Sequence, residues 1–251
     1  MGAAAAIAFL GGLVVGSFVT VVAHRVPRGE SIVGPRSRCP GCGAQIAAYD
    51  NLPVVSWVLL RGRARCCGTA ISPRYPLTEL SLGVLYAATV LVLWDDPGEI
   101  ALGLILVTTL LAVTLTDLER RIIPNKILIV AAVLAVVTAA MTDPSSLPER
   151  LAAAAGAGGL LFLAALAYPR GMGLGDVKLA ATMGLFLGRN VAPALLVALL
   201  VGSLVGLAMI AREGAAARKR AIPFGPFLAL GGVAGLLLGD QMVDWYLSTF
   251  T

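Results

Sequence analysis

Two acidic residues stand at the ends of apolar segments, where a carboxylate is costly. Asp117 closes the apolar run of LAVTLTDLERRIIPN, and Asp176 opens another in GMGLGDVKLAATMG. A carboxylate at the edge of the hydrocarbon layer costs several kcal/mol unless it is paired or used. The two aspartates are therefore functional candidates, and a position at the same membrane surface would indicate a shared chemistry.

A pair of carboxyl groups can act as base and acid together. Two neighbouring carboxyl groups resist joint ionisation and hold one proton between them. The ionised group draws a proton from water, while the protonated group donates to a substrate carbonyl. This is the chemistry of an aspartic protease. Glycines before Asp176 favour a loop that a peptide backbone can approach closely, namely Gly171, Gly173 and Gly175.

Each aspartate also has a structural interpretation. Asp176 fits the N-terminal cap of the following helix, where free N–H groups and the helix dipole stabilise a carboxylate. Asp117 fits an interfacial residue paired with Arg120 or Arg121. A proton-coupled transporter is the alternative functional use of paired membrane carboxylates, but it predicts inverted internal repeats. No convincing repeat is visible in this sequence.

The composition predicts an all-α integral membrane protein. Hydrophobic residues make up 58% of the 251 residues and charged residues only 13%, and the mean hydropathy of +0.89 excludes an ordinary soluble surface. A helix needs about 20 apolar residues to cross a bilayer. We expect about eight transmembrane helices, the sixth being the shortest, in windows 3–23, 77–94, 100–116, 127–141, 151–168, 177–187, 192–210 and 223–238.

The first window is interpreted as a transmembrane helix rather than a cleaved signal peptide. It lacks a basic segment at its start, and His24 and Arg25 follow it in place of a small-residue cleavage site.

The basic residues predict the orientation of these helices. With the N-terminus outside, all 19 lysines and arginines except Arg150 and Arg189 fall on the inside. The positive-inside rule favours this topology. It places Asp117 at the inner end of the third helix and Asp176 at the inner start of the sixth. Both aspartates are therefore expected at the cytoplasmic face of the plasma (inner) membrane.

The predicted loop 25–76 contains all four cysteines of the chain. Cys39 and Cys42 form a C-x-x-C pair, and Cys66 and Cys67 follow as an adjacent pair. Four thiolates suit a tetrahedral structural zinc, although adjacent cysteines strain a single site. A weaker site or free thiols are the alternatives. A disulfide is not expected in a cytoplasmic loop, where thiols stay reduced.

Several segments together resemble the type IV prepilin peptidases, which are bilobed membrane proteases of the GxGD aspartic class. TDLERRIIPN and GLGDVK resemble the two aspartate motifs of that family. FLGGLVVGSFVTVVAHRVPRGESIVGPRSRCPGCG resembles its N-terminal region, and DNLPVVSWVLLRGR and ISPRYPLTEL resemble its cytoplasmic segment. IPFGPFLALG resembles a further segment near the end. The resemblance extends over nearly the whole chain.

The resemblance implies an aspartic endopeptidase. Asp117 and Asp176 would be the catalytic dyad, and Gly173, Gly175 and Lys178 would be supporting residues of the second motif. Such enzymes remove the basic leader of prepilins or pseudopilins on the cytoplasmic side, just before the apolar helix. Many also methylate the new N-terminus with S-adenosylmethionine. The sequence itself shows no glycine-rich nucleotide fingerprint for this cofactor.

The resemblance also exposes a departure in the cysteine loop. Against the family's usual C-x-x-C-G, Cys67 matches the last cysteine, while Ala64 stands where the preceding one is expected. Cys66 would then supply the fourth zinc ligand from a shifted position.

Glu79 and the net charge complete the sequence-based expectations. Glu79 lies just inside the second helix and needs a partner there, either a loop arginine or the basic leader of the substrate. The net charge of +5 fits attraction to anionic membrane lipid and needs no nucleic acid. We expect a first helix at 1–24, a cytoplasmic loop at 25–76 and a seven-helix membrane domain at 77–251.

Overall fold

The computed structural model describes residues 1–34, 37–168, 172–214 and 222–250, and the described chain is helical. No β-strand occurs among these residues, which confirms the prediction of an all-α protein. Two isolated β-bridges lie in the cysteine loop. The α-helices are α1 Gly2–Arg25, α2 Val55–Leu59, α3 Arg74–Val92, α4 Pro97–Arg120, α5 Asn125–Thr142, α6 Leu147–Ala167, α7 Leu174–Leu187, α8 Val191–Glu213 and α9 Gly225–Phe250.

Seven helical segments are long and apolar enough to cross a membrane. Each of the eight predicted windows overlaps a different α-helix, and the difference in count comes from α7 and α8. These two helices lie in one helical stretch, Leu174–Glu213, in which Gly188 interrupts the α-helix with φ 52° and ψ −133°. The sixth window is short because α7 has only 14 residues.

Some residues used in the sequence analysis lie outside the described residues. They are Gly171, Arg170, Arg36, Arg218, Lys219 and Arg220.

The chain divides into two compact units, Met1–Trp94 and Asp95–Thr251. In the first unit α1 packs along α3. Two glycines of α1 permit this contact: a Cβ on Gly12 would lie 2.7 Å from the Gly83 Cα, and a Cβ on Gly16 would lie 2.7 Å from the Glu79 Cα. Small residues at such positions let helix backbones approach closely in a membrane.

The second unit is built around α4. Helices α5, α7 and α9 pack against it, while α6 packs on α7 and α8 packs on α9. Its core contains the buried side chains of Leu106 and Leu110 from α4, Met183 from α7 and Leu228 from α9. Asp96 caps α4 by accepting hydrogen bonds from the N–H groups of Gly98 and Glu99, and this cap fixes where the helix begins.

Arg150 of α6 links the start of α4 to the end of α7. Its guanidinium pairs with Glu99 and donates to the carbonyl oxygen of Phe186 at 2.5 Å. The Arg150 Nε also donates to the Ser146 Oγ at 3.1 Å. The last carbonyls of a helix have no partner within the helix, so this buried cation satisfies the end of α7 as well as the carboxylate.

Breaking this pair should destabilise the protein more than breaking an exposed pair. We expect Arg150→Met to lower the free energy of unfolding by roughly 3 kcal/mol, because Glu99 and the α7 carbonyls lose a buried partner. Arg189→Met is the matched control: its pair with Asp240 is 58% and 61% exposed and should contribute only about 0–1 kcal/mol. Denaturant unfolding in detergent measures both. Equal effects would contradict a structural role for Arg150.

Candidate active site

Asp117 lies in the last turn of α4 and accepts a hydrogen bond from a residue that is 108 positions away in the sequence. Its side chain is buried, and its Oδ2 accepts a hydrogen bond from the Gly225 N–H at 2.9 Å. Gly225 is the first residue of α9. A Cβ on Gly225 would lie 2.8 Å from that same oxygen, so the contact requires glycine.

Asp176 is the third residue of α7 and holds the start of its own helix. Its Oδ2 accepts from the Gly173 N–H at 3.1 Å, and its own N–H donates to the Gly173 carbonyl at 3.1 Å. The helix-capping interpretation of Asp176 therefore describes part of its environment. The carboxylate satisfies a free N–H at the helix N-terminus, as an acidic residue does in the first turn of many helices.

Each aspartate has one carboxylate oxygen left for chemistry. In the part of the chain that the structure describes, no hydrogen bond reaches the Oδ1 of Asp117 or of Asp176, and neither atom is sealed inside the protein. No described arginine forms an ion pair with Asp117, so the predicted pairing with Arg120 or Arg121 is not seen. Both carboxylates thus keep an acceptor free for water or substrate.

The structure brings the two aspartates into one region of the second unit. Helices α4 and α7 are in contact, and Asp117 in the last turn of α4 and Asp176 in the first turn of α7 are both buried. The segment after α4 also contacts the start of α7, because a Cβ on Gly175 would lie 3.0 Å from the Ile123 Cβ. Gly175 is therefore a packing residue for the connection between α4 and α5.

Lys178 also contacts this connection. Its Nζ donates to the Asn125 Oδ1 at 3.0 Å, and Asn125 is the first residue of α5. The lysine thus links α7 to α5 instead of simply extending towards lipid. Sequence reasoning missed Asn125 and Gly225. The only signal for Gly225 was the resemblance of IPFGPFLALG to a family segment, and that resemblance assigned it no role.

Glu79 lies in the first unit and binds the backbone of the loop. This buried residue accepts a hydrogen bond from the Val54 N–H at 2.7 Å through its Oε2. No ion pair joins it to an arginine among the described residues. Its structural partner is therefore a peptide N–H, whereas the sequence had suggested a loop arginine or the substrate leader.

The four cysteines form one cluster in the first unit. Their sulfur atoms all lie within 4.8 Å of one another. The distances are 3.5 Å for Cys39–Cys67, 3.3 Å for Cys42–Cys66 and 3.9 Å for Cys66–Cys67. Sulfur ligands around a tetrahedral zinc lie roughly 3.8 Å apart for Zn–S bonds near 2.3 Å. The cluster is compatible with a structural metal.

Two turns of the same geometry carry these cysteines. In the first turn the Gly43 N–H donates to the Cys39 carbonyl, and in the second the Gly68 N–H donates to the Ala64 carbonyl, both at 2.8 Å. The bridges Arg38–Gln45 and Arg63–Ala70 close the two turns in the same way. When the two turns are aligned by these hydrogen bonds and bridges, Cys67 corresponds to Cys42 and Ala64 corresponds to Cys39. Cys66 corresponds to Gly41, one position before the second cysteine.

The two adjacent thiols have different proton affinities. The Thr69 hydroxyl, 3.1 Å from the Cys67 sulfur, lowers the pKa of Cys67 to about 6. The hydrogen bond between Cys66 and Cys42 raises the pKa of Cys66 to about 12. A thiolate is the form that binds a metal, so Cys67 is the member best prepared for a cation at neutral pH.

The fold and this geometry define a helical multi-span membrane protein with two buried aspartates on neighbouring helices. Residues 104–211 match the family model described as the type IV leader peptidase family, and residues 10–93 match the bacterial peptidase A24 N-terminal domain. The chain therefore belongs to the type IV leader peptidase family.

Similar curated proteins share nearly the whole length of the chain. Three are each named prepilin leader peptidase/N-methyltransferase. The Aeromonas hydrophila protein is 34% identical over 96% of this chain and 93% of its own. The Bacillus subtilis protein is 33% identical over 96% and 97%, and the Stutzerimonas stutzeri protein is 34% identical over 94% and 91%. No solved structure gives a significant match.

Replacement of Gly225 by alanine should impair turnover without unfolding the protein. The new Cβ would collide with the Asp117 carboxylate, and a misplacement of about 1 Å can cost about 10²-fold in rate. We expect kcat for leader cleavage to fall by about this factor, with KM little changed. Gly156→Ala is the matched control, because no atom lies within 4 Å of its Cβ position. Equal kcat values for both variants and the wild type would contradict the role given to Gly225.

Proposed function

We propose that this protein is a membrane aspartic endopeptidase that removes the basic leader from type IV prepilins or pseudopilins. Asp117 and Asp176 are its catalytic dyad. The observation that carries the proposal is the placement of two buried aspartates on contacting helices of one unit. The family membership and the names of the relatives support the choice of substrate.

The proposed reaction uses the free oxygen of each carboxylate. The ionised aspartate takes a proton from a water molecule, and the water oxygen attacks the scissile carbonyl while the protonated aspartic acid donates its proton to the carbonyl oxygen. When the tetrahedral intermediate collapses, the aspartic acid that holds the water proton gives it to the leaving nitrogen and the C–N bond breaks. The other aspartate takes a proton from a hydroxyl group of the intermediate, which becomes the new carboxyl group. The N–H groups of Gly225 and Gly173 hold the other oxygens in place.

The proposed orientation places the dyad at the cytoplasmic face of the inner membrane. With the N-terminus outside, 17 of the 19 lysines and arginines lie on the inner side, and the positive-inside rule favours this orientation. A prepilin presents its cleavage site at the inner interface, between a basic leader and an apolar helix.

The other predicted site residues take supporting roles in this proposal. Gly173 and Gly175 form the close approach at the start of α7, and Lys178 fastens α7 to Asn125. Glu79 anchors the loop at Val54. We propose that residues 25–76 form the cytoplasmic loop between the first helix and the membrane domain.

We further propose that Cys39, Cys42, Cys66 and Cys67 bind one structural zinc ion. When bound, the zinc would cross-link the two turns of a loop that has few apolar residues for a core of its own. The relatives' names also include N-methyltransferase, which supports a second activity with S-adenosylmethionine as methyl donor.

The alternative of a proton-coupled transporter gains no support. The relatives are named as peptidases, and Asp117 and Asp176 lie at helix ends. Carboxylates near mid-membrane on interrupted helices would have favoured a transporter.

Asparagine at either aspartate should abolish cleavage. We expect Asp117→Asn and Asp176→Asn each to lower the cleavage of a purified prepilin by at least about 10²-fold, because a general acid or base is lost. Asp244→Asn is the control, since Asp244 is an exposed residue of α9. Gel mobility of the prepilin measures cleavage. Wild-type rates in either dyad variant would make the assignment wrong.

The zinc proposal predicts a rescue by moving one cysteine. We expect purified wild type to contain one zinc per chain and Cys66→Ser to lose it. Adding Ala64→Cys to Cys66→Ser should restore the metal, because Ala64 occupies the turn position of Cys39. Elemental analysis measures the zinc content. Unchanged zinc in Cys66→Ser would exclude Cys66 as a ligand.

A further inference from the structure

The short helix α2 presents an apolar face that nothing in the described chain covers. The side chains of Leu52, Val55, Val58 and Leu59 are exposed, and Leu59 is 75% exposed. By their spacing Val55, Val58 and Leu59 lie on one face of this helix, and Leu52 lies in the segment just before it. The rest of the helix is fastened to the loop, because the Ser56 hydroxyl donates to the Tyr49 carbonyl and the Trp57 Nε1 donates to the Ile71 carbonyl.

The start of α2 is tied to a membrane-spanning helix. The Val54 N–H donates to Glu79, the sixth residue of α3. Helix α3 has 19 residues, or about 28 Å at 1.5 Å per residue, which scarcely equals a hydrocarbon core of roughly 30 Å. A spanning α3 therefore places Glu79, five residues after Arg74, about 8 Å inside the nearer boundary of this core, and Val54 lies beside it.

Helix α1 gives a second measure of this depth. Gly16 packs directly against the Glu79 backbone. Gly16 precedes Arg25, the basic end of α1, by nine residues, which is about 14 Å along a helix. The Val54 contact is thus level with the apolar part of α1, on the membrane side of its charged end.

The backbone at Val54 is held in a conformation that needs support. Val54 has φ 61° and ψ −50°, a region that a β-branched residue rarely adopts and that costs about 1–3 kcal/mol. Such a conformation persists only where the surroundings hold it. The hydrogen bond from the Val54 N–H to Glu79 provides that support. Because Val54 immediately precedes α2, this bond fixes the start of α2 relative to α3.

Two arginines lie beside the apolar face. Arg61 and Arg63 follow α2, their side chains are exposed, and neither forms an ion pair within the described ranges. Arg65 differs, because it binds Asp50 through two nitrogen atoms. An apolar face with unpaired cations next to it is typical of a helix that lies on an anionic membrane surface.

We propose that α2 is an interfacial helix that docks on the lipid leaflet at the Arg25 end of α1. Leu52, Val55, Val58 and Leu59 enter the boundary between headgroups and acyl chains. Arg61 and Arg63 contact lipid phosphates. The contact holds the cysteine loop against the membrane surface at a depth set by the hydrogen bond between Val54 and Glu79. This role is independent of the peptidase reaction.

Photo-crosslinking in nanodiscs tests the docking. Full-length protein carries a benzophenone amino acid at Leu59, and a matched sample carries it at Gln45, an exposed polar residue of the first cysteine turn. The nanodiscs contain phosphatidylglycerol and phosphatidylethanolamine. We expect lipid adducts at Leu59 to exceed those at Gln45 by about tenfold, because an interfacial helix embeds its apolar face by about 5–10 Å. Equal or absent lipid adducts at Leu59 overturn the proposal.

A charge variant and an added substrate complete the test. Phosphatidylglycerol should be enriched among the Leu59 adducts by about fivefold per arginine. Arg61→Gln with Arg63→Gln should remove that enrichment, while Arg65→Gln should leave it unchanged. Enrichment that survives in the double variant shows that these arginines do not bind lipid phosphate. Crosslinking of Leu59 to added prepilin in place of lipid would identify a substrate-docking surface and refute membrane docking.

Discussion

A carboxylate in an apolar protein must receive hydrogen bonds, and the packing around Asp117 and Asp176 follows from that requirement. Each accepts one N–H, from Gly225 and from Gly173 respectively. Both donors stand where a helix begins, since Gly225 opens α9 and Gly173 precedes α7. The N-terminal ends of two helices thus point their free N–H groups and positive dipole ends towards these acids.

The polarity of the helix backbone also explains why a cation lies at the C-terminal end of α7. A helix that begins at a carboxylate ends in carbonyl groups without partners. Arg150 supplies the donors there, through its hydrogen bond to the Phe186 carbonyl, and Glu99 at the start of α4 balances its charge. Arg150 thus links the start of α4 to the end of α7, while Asp117 links the other end of α4 to the start of α9. Both links suit a membrane interior in which no polar group can be left unpaired.

Local hydrophobicity predicted most of the fold, because a transmembrane helix must satisfy its backbone internally. Each apolar window corresponds to an α-helix, and the short window at 177–187 correctly indicated the short α7. Contacts distant in sequence were not predictable in this way. The bond from Gly225 to Asp117 joins residues 108 positions apart, and nothing in the composition of IPFGPF indicates an acid nearby. The partner of Glu79 was missed because a backbone N–H leaves no trace in the sequence.

In the cysteine loop the backbone turns follow from the sequence, but the positions of the cysteines that could bind a metal do not. Gly43 and Gly68 both adopt a positive φ, of 72° and 71° respectively. A glycine in this left-handed conformation sets the shape of each turn. The shape does not depend on which of the preceding positions is a cysteine. Ala64 has no sulfur at the turn position where Cys39 has one, yet its carbonyl accepts the same hydrogen bond of the turn. A cysteine placed two residues later can then reach the same centre, because the turn folds that position towards the other three sulfurs. Adjacent cysteines, which a linear spacing rule disfavours, therefore become compatible with one tetrahedral site.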